Sequence, residues 1–352
     1  MASSRTDIIN CRPEEVSAWL TERGFEPYRA KQIFKWIFTG QTDDFSAMTN
    51  LSKRLRSLLE DAFAITRLTP AETAKSADGS IKHLFQLSDG ELIETVLIAE
   101  KNHFTLCISS QAGCALGCTF CRTGQGGLIR NLTRGEILAQ VRDTAFSMHD
   151  PERLTNIVFM GMGEPLANYE NVVSAANTLM SGDSGLNFSS RRVTISTAGI
   201  ASKIIDLGRD TSANPAVSLN AADDETRDLL MPINRTFPIA VLLDACRKYP
   251  LPARRRITFE YILIRNVNDS PKDAQRLAKL LHGIKAKINL IPFNAHEGSD
   301  FERPPESVIS QFQDVLLSRN YTAVIRRSKG EDIMGACGQL RATGRFRQHL
   351  IK

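Results

Sequence analysis

The sequence predicts an α/β protein whose main part is an open parallel sheet, preceded by a small helical module and a β-hairpin. Three observations predict it. Apolar residues fall at helical spacing over the first 70 residues. A turn signal separates two strand-like runs between residues 80 and 99. From residue 104 onward, strand-like and helix-like segments alternate, which is typical of βαβ units.

The composition is that of a globular protein of 352 residues, long enough for one large domain and a smaller one. Apolar residues make up 42% and charged residues 24%, which excludes wholesale disorder. No apolar run approaches the roughly 18–20 residues that a transmembrane helix needs. Residues 1–16 lack the apolar core of a secretory signal. We therefore expect a cytoplasmic protein without a membrane contact.

The net charge of +5 is too small to indicate nucleic-acid binding by itself. Its distribution is uneven, because residues 319–352 carry eight Lys or Arg against two acids, a local net charge of +6. This basic segment either holds phosphate groups or is a solvated tail, and charge alone does not separate the two.

Residues 1–75 are predicted to form an N-terminal helical accessory domain, which Gly24 and Gly40 interrupt. Its basic faces suit either an RNA contact or a solvated packing cap. Residues 76–103 are predicted to form a β-hairpin extension, because two apolar runs (Ile81–Leu87 and Leu92–Ile98) flank the turn signal Asp89-Gly90.

Residues 104–330 are predicted to form the barrel core. Capping residues mark two helix starts, at Thr133 with Glu136 three residues on and at Ser270-Pro271. Six candidate strands are too few for a closed eight-stranded barrel and suit an open one, in which ligands bind at the carboxyl ends of the strands. The candidate strands are Phe104–Ser109, Asn156–Met160, Arg192–Ser196, Ala216–Asn220, Ile257–Ile264 and Lys287–Ile291.

Four of the seven cysteines fall between residues 107 and 121, and three of them (Cys114, Cys118 and Cys121) form a C-x3-C-x2-C motif after the first candidate strand. Three thiolates so close together repel one another unless a metal neutralises them. Ferredoxin clusters use four cysteines, and zinc sites pair C-x2-C with a second, distant pair. Three ligands therefore suit a [4Fe–4S] cluster with one open iron. The alternatives are a zinc site with one distant ligand or three buried free cysteines.

The motif resembles that of the radical S-adenosylmethionine (SAM) superfamily, in which the open iron chelates SAM. An aromatic residue before the last cysteine is usual there, and here it is Phe120. The resemblance implies a partial (β/α)6 radical SAM barrel with the cluster loop after its first strand. This agrees with the six strands counted from the sequence.

Six further segments resemble the RlmN/Cfr family of radical SAM RNA adenine methyltransferases, in the same order along the chain. They extend from about residue 80 to 345, and the N-terminal module also looks like that of the family. The segments are CISSQAGCALGCTFC, FMGMGEPLANYENV, RRVTISTAG, LMPIN, KINLIPFN and ACGQL.

The resemblance implies a two-stage reaction, because an adenine ring carbon is not nucleophilic enough for ordinary methyl transfer. One SAM gives its methyl group to Cys337, in the C-terminal segment of residues 331–352. A second SAM is cleaved at the cluster, and its 5′-deoxyadenosyl radical removes a hydrogen atom from that methyl group. The carbon radical adds to the adenine, and Cys107 then attacks the Cys337 sulfur. This releases the methylated base and leaves a transient disulfide.

Other residues are carried over from the same family resemblance. Glu94 aligns with the proton acceptor of the family. Without the resemblance, we would interpret Cys107 and Cys337 as buried small hydrophobes and Glu94 as an edge-strand glutamate. Positive potential for a Cys337 thiolate is available from Arg326, Arg327 and Lys329. The implied SAM contacts are Gly163, Glu164, Ser196, Ser218, Leu219, Asn220 and Asn294.

The sequence departs from the family pattern at Asn220, where His is usual, and at Met334-Gly335, where Asp-Ala is usual. Glu164-Pro165 resembles the branch that methylates adenine C2 in 23S rRNA and tRNA. The alternatives are the Cfr-like branch, which methylates C8 of 23S rRNA, and a non-catalytic iron–sulfur RNA-binding protein. The resemblance also implies a reduced flavodoxin or ferredoxin as electron donor, and we expect a monomer.

Overall fold

The computed structural model describes residues 5–342. The first four residues of the predicted helical domain and the last ten of the predicted C-terminal segment therefore lie outside the described part of the chain, together with part of the basic segment.

The N-terminal module consists of three helices between two short strands that pair in parallel, Thr6–Asp7 (β1) and Phe63–Ala64 (β2). The helical spacing of apolar residues predicted the helices but not the two strands, and apolar side chains of the helices form the buried core of the module. The module is held to the barrel because Arg134 donates to the carbonyls of Ile9 and Cys11. Its helices are α1 (Pro13–Thr21), α2 (Arg29–Phe38) and α3 (Lys53–Ala62).

Within residues 5–342 the central sheet has ten strands, and its first three are antiparallel. The predicted hairpin is confirmed as β4 (Ile81–Gln86) and β5 (Leu92–Ala99). A further strand, β3 (Pro70–Lys75), pairs with β4 at the sheet edge and was not predicted. It begins with proline, and none of its side chains is buried, so no apolar alternation marks it.

The rest of the sheet is parallel, and β5 joins it by pairing antiparallel with the first barrel strand. All six predicted strands are confirmed, but a seventh, β14, was missed. It has only four residues (Thr-Ala-Val-Ile) and lies at the open edge of the sheet, where two of its side chains are exposed. The barrel strands are β6 (Phe104–Cys107), β9 (Leu154–Phe159), β10 (Val193–Thr197), β11 (Asn214–Ser218), β12 (Ile257–Leu263), β13 (Ala286–Pro292) and β14 (Thr322–Ile325).

Helices follow the strands, and both predicted helix starts are confirmed: Thr133 and Ser270 each form a capping box. A small two-stranded sheet after β6 frames the cysteine loop, with strands β7 (Gln111–Cys114) and β8 (Gly127–Asn131). The helices are α4 (Arg122–Gln125), α5 (Arg134–Ser147), α6 (Tyr169–Met180), α7 (Ala201–Asp210), α8 (Asp224–Leu230), α9 (Ile239–Lys248), α10 (Pro271–Leu280) and α11 (Glu306–Ser318).

The architecture is therefore the predicted α/β partial barrel. Within residues 5–342, no helix combines the length and apolar character that crossing a membrane requires.

Candidate active site

A cavity of about 150 Å³ opens where the parallel strands end. Its wall is built from the cysteine loop, the carboxyl ends of β9 to β13 and residues 337–338. Because every parallel strand contributes its end to the same edge, residues far apart in sequence meet here. Nine of the sequence-predicted site residues line it: Cys114, Cys118, Cys121, Gly163, Glu164, Ser196, Ser218, Asn220 and Cys337. Four do not: Glu94, Cys107, Leu219 and Asn294.

The three motif cysteines face this cavity from a tight loop between β7 and α4. Gly124 closes the loop, since a Cβ there would lie 2.9 Å from the amide nitrogen of Cys118. Burial raises the pKa of Cys114 to about 11 and raises that of Cys118 further, and the neighbouring Cys121 adds to both shifts. The loop therefore needs a strong positive charge to hold these groups as thiolates.

An iron–sulfur cluster fits this donor set. In the described part of the chain, no group of three or more His, Cys, Asp or Glu side chains is close enough together to hold a metal ion. The three motif cysteines all line the same cavity, and three thiolate ligands suit a [4Fe–4S] cluster with one open iron.

The segment after β9 packs so closely at Gly163 that a side chain would not fit there. A Cβ on Gly163, whose φ is +101°, would lie 2.5 Å from the Cβ of Gln111. This close approach directs Glu164 into the cavity wall, where its Oε2 accepts from the amide of Ala198 at 2.7 Å. Its Oε1 accepts from the amide of Leu166 at 2.9 Å. The buried carboxylate thus ties the end of β9 to the end of β10, and burial raises its pKa.

Asn220 uses its side chain within the protein. It has a left-handed backbone with a φ of +58°, which Asn tolerates better than most residues. Its Oδ1 accepts from the amide of Ile262 at 2.9 Å, and its Nδ2 contacts the sulfur of Met231 at 3.2 Å. This Asn therefore fastens the end of β11 to β12.

Cys337 lies in the C-terminal loop, defined here as residues 334–341. Four contacts hold this loop against the barrel. Asn294 donates to the carbonyl of Cys337 at 3.0 Å, and Gln339 donates to that of Ala295 at 2.8 Å. Two more join it to the residues after Cys121: the Arg122 amide donates to the Gly338 carbonyl at 2.8 Å, and the Thr123 hydroxyl to the Leu340 carbonyl at 2.5 Å.

The two lone cysteines are near one another. Cys107 ends β6 and is buried, whereas the Cys337 side chain is accessible because it faces the cavity. Although Cys337 opens to the cavity, the protein around each sulfur excludes most bulk water, and this raises the pKa of both thiols. Charge on Cys337 raises the pKa of Cys107 further. The guanidinium of Arg326 opposes both shifts. Both are free thiols in this structure.

Glu94 is on β5, outside the cavity and on the hairpin side of the C-terminal loop. It is 2% exposed, and its Oε1 lies 3.0 Å from the Nζ of Lys82. Its Oε2 accepts from the backbone amide of Arg341 at 2.7 Å. Burial raises the pKa of this carboxyl, and the Lys82 ammonium opposes the rise.

Two buried charged residues of this region were missed by the sequence analysis. Glu260 of β12 lines the cavity and accepts from Asn289 at 2.9 Å. Arg227 of α8 is fully buried and donates to the carbonyls of Ala198 and Leu219, at the ends of β10 and β11. A charged residue inside an apolar run was the available signal for Glu260.

A partial parallel barrel with a three-cysteine loop and a glycine-rich segment at its mouth defines a radical SAM enzyme. Residues 108–278 match the family described as Radical SAM superfamily. Residues 6–65 match the family described as Ribosomal RNA large subunit methyltransferase N-terminal domain.

Relatives that align over nearly the whole chain identify the family within the radical SAM enzymes. The chain is 56% identical to the dual-specificity RNA methyltransferase RlmN of Desulfosudis oleivorans, over 96% of this chain and 91% of the relative. It is 51% identical to the protein of the same name from Geobacter sulfurreducens, over 95% and 92%. A crystal structure of a radical SAM methyltransferase from Sphaerobacter thermophilus covers 96% of this chain and 100% of its own, at 44% identity and a TM-score of 0.89.

The chain belongs to the RlmN family of radical SAM RNA methyltransferases. It is an enzyme that acts on RNA and uses a [4Fe–4S] cluster and SAM.

Proposed function

We propose that this chain methylates C2 of an adenosine in the peptidyl-transferase centre of 23S rRNA and of the adenosine next to the anticodon in some tRNAs. In this proposal Cys337 carries the methyl group. The observation that carries it is the docking of the C-terminal loop, which contacts the cysteine loop on one side and Glu94 on the other. A methyl group on Cys337 would thus lie between the cofactor cavity and the proton acceptor.

Different residues of the site would bind the cluster and SAM. Cys114, Cys118 and Cys121 would bind three irons of the cluster. When bound, the cluster and SAM supply the methyl group and a carbon-centred radical. Gly163, Glu164, Ser196 and Ser218 would contact SAM, whereas Leu219, Asn220 and Asn294 would act through the strand ends and the loop that they hold.

Three residues of the chain would themselves take part in the methylation reaction. Cys337 must lose its proton before it can accept a methyl group, and Arg326 favours that loss. Glu94 would accept the proton that leaves the methylated ring position. Cys107 would attack the Cys337 sulfur as a thiolate, so that the bond from this sulfur to the methylene carbon on the base breaks as the disulfide forms. The electron pair of that bond would pass to the carbon, which takes up a proton to become the methyl group.

Cysteine variants test the proposal. Cys337→Ala should retain the iron content and RNA binding of the wild type but produce no methylated adenosine. Cys107→Ala should still acquire a methyl group on Cys337 but fail to release product. Cys246→Ala is the matched control, since Cys246 is another buried free cysteine and lies on α9, outside the cavity. Methylation at the native rate by the Cys337 variant would refute the carrier role.

The proposal includes partners that the same chemistry requires. Reductive cleavage of SAM needs one electron, for which a reduced flavodoxin or ferredoxin is the expected donor. The chain would act as a monomer in the cytoplasm, where its RNA substrates are.

A further inference from the structure

A buried ion pair joins the hairpin to the active site. Lys82 on β4 and Glu94 on β5 are diagonal neighbours on one face of the sheet, because Lys82 is opposite Val96 and Glu94 is opposite Leu84. The Nζ of Lys82 lies 3.0 Å from Oε1 of Glu94, and the two side chains are 4% and 2% exposed. Lysine and glutamate are almost never buried to this extent unless they are paired.

The same pair holds both ends of the C-terminal loop. Lys82 donates from Nζ to the carbonyl of Met334 at 3.2 Å, at the start of the loop. Glu94 accepts from the amide of Arg341 at 2.7 Å, at its end. Cys337 lies between these two anchors. One ammonium group therefore contacts both the carboxylate and the loop that carries the thiol.

We propose that Lys82 is a positioning residue for RNA methylation: it keeps Glu94 ionised and fixes it relative to Cys337. The inference rests on the proposed function, in which Glu94 accepts the proton of the ring. The geometry gives the reason. A carboxylate buried here has lost most of its hydration, so its charged form needs a fixed cation beside it.

Three groups that favour its charged form surround this carboxylate. They are the Lys82 ammonium on β4, the Arg122 guanidinium on α4 and the uncharged backbone amide of Arg341 in the loop. Glu72 of β3 acts on Lys82 in turn. Of these groups, Lys82 lowers the pKa of Glu94 most. Removal of the Lys82 charge should therefore raise the pKa of Glu94. Because Glu94 must be deprotonated to act as the base, the methylation rate should then begin to rise at a more alkaline pH.

Variants of the cluster-loaded, full-length protein test the inference. Two quantities are measured for each: the single-turnover rate of RNA methylation between pH 6 and pH 9, and the methylation of Cys337 by peptide mass spectrometry. Lys82→Met should lower the RNA rate about 10- to 100-fold at pH 7 and shift its rising limb to alkaline pH. Lys82→Arg, which keeps the cation, should recover most of the rate. Cys337 should be methylated in every variant.

A matched control and a second variant protect the test from misfolding. Lys75→Met changes an exposed lysine at the end of β3, the strand that pairs with β4, and should behave as the wild type. If Lys82→Met does not fold, Lys82→Gln replaces it, since its amide can still donate to Glu94 and Met334 without a charge. The alkaline shift is then expected of the Gln variant.

The Glu94→Gln variant distinguishes failure of the proposed function from failure of the inference about Lys82. If it methylates RNA at the native rate, the proton-acceptor role fails and the inference falls with it. If it is inactive while the Lys82 variants keep the native rate and pH profile, the proposed function stands and the inference is wrong. A Lys82→Met rate reduced by one factor at every pH, without recovery in Lys82→Arg, would assign Lys82 a merely structural role and overturn the inference.

Discussion

Arg227→Met would remove a buried clamp that holds two strand ends at the mouth of the barrel. The guanidinium donates to the carbonyls of Ala198 at 2.7 Å and Leu219 at 3.1 Å, and to the side chain of Asn234 at 2.8 Å. Burial lowers the pKa of Arg227 to about 10, so the group is still charged at pH 7. Methionine keeps the apolar stem and removes only the donors.

The cost follows from these contacts. A hydrogen bond from a charged donor contributes roughly 1.5–3 kcal/mol, and a buried acceptor without a donor costs about 1–3 kcal/mol. The bonds form one network and are not additive, while removing the buried charge recovers part of its desolvation. We expect a net loss of about 3 kcal/mol in the free energy of unfolding, and a decrease of about 5 °C in Tm for a protein of this size.

Anaerobic thermal unfolding and equilibrium dialysis with SAM measure the two consequences. SAM affinity should fall about tenfold or more, because Ala198 lines the cavity and its amide donates to Glu164. Arg235→Met, at an exposed arginine in the turn that follows α8, should change the free energy of unfolding by less than about 0.5 kcal/mol. An Arg227 variant with native Tm and native SAM affinity would refute the clamp.

Three further outcomes are expected. The Gly163→Ala variant should be destabilised by about 2–4 kcal/mol and should lose SAM binding in equilibrium dialysis. Its Cβ would lie 2.5 Å from that of Gln111, and its backbone has a φ of +101°. Native SAM binding would contradict this expectation. Burial lowers the pKa of His83 to about 4, against 6.5 when unfolded, so that between these values the unfolded chain binds more protons. Stability should therefore fall by up to about 3 kcal/mol as the pH decreases from 6.5 to 4, and denaturant titrations should show a smaller fall for His83→Gln; equal falls would exclude the histidine as the cause. Cys118→Ala should lose most of its iron by metal analysis, whereas Cys246→Ala should keep it; a full iron content in the first would argue against the cluster.

The sequence predicted those parts of the fold that depend on local patterns. Strand-like runs marked the six barrel strands β6 and β9 to β13, and capping residues marked the helix starts at Thr133 and Ser270. In the central sheet, the strands that were not predicted, β3 and β14, are edge strands of four to six residues with much of their surface exposed. Their short length leaves little local signal, and their pairing depends on the sheet beside them.

The site was predictable where its residues belong to contiguous motifs. The cysteine loop and the glycine segment could each be identified from a few neighbouring letters of sequence. Lys82 and Arg227 could not, because each works through partners that only the folded chain brings together. The pairing of Lys82 with Glu94 depends on the register of β4 and β5 and on a loop about 250 residues away.

Nucleoside mass spectrometry decides the proposed reaction, using ribosomal and transfer RNA from cells that lack their own enzyme and express this chain. We expect 2-methyladenosine in both RNA pools, and none when Cys337→Ala is expressed at the same level. 8-Methyladenosine would place the chemistry at the other ring carbon. Cluster-loaded protein that yields neither nucleoside would refute adenine methylation by this chain.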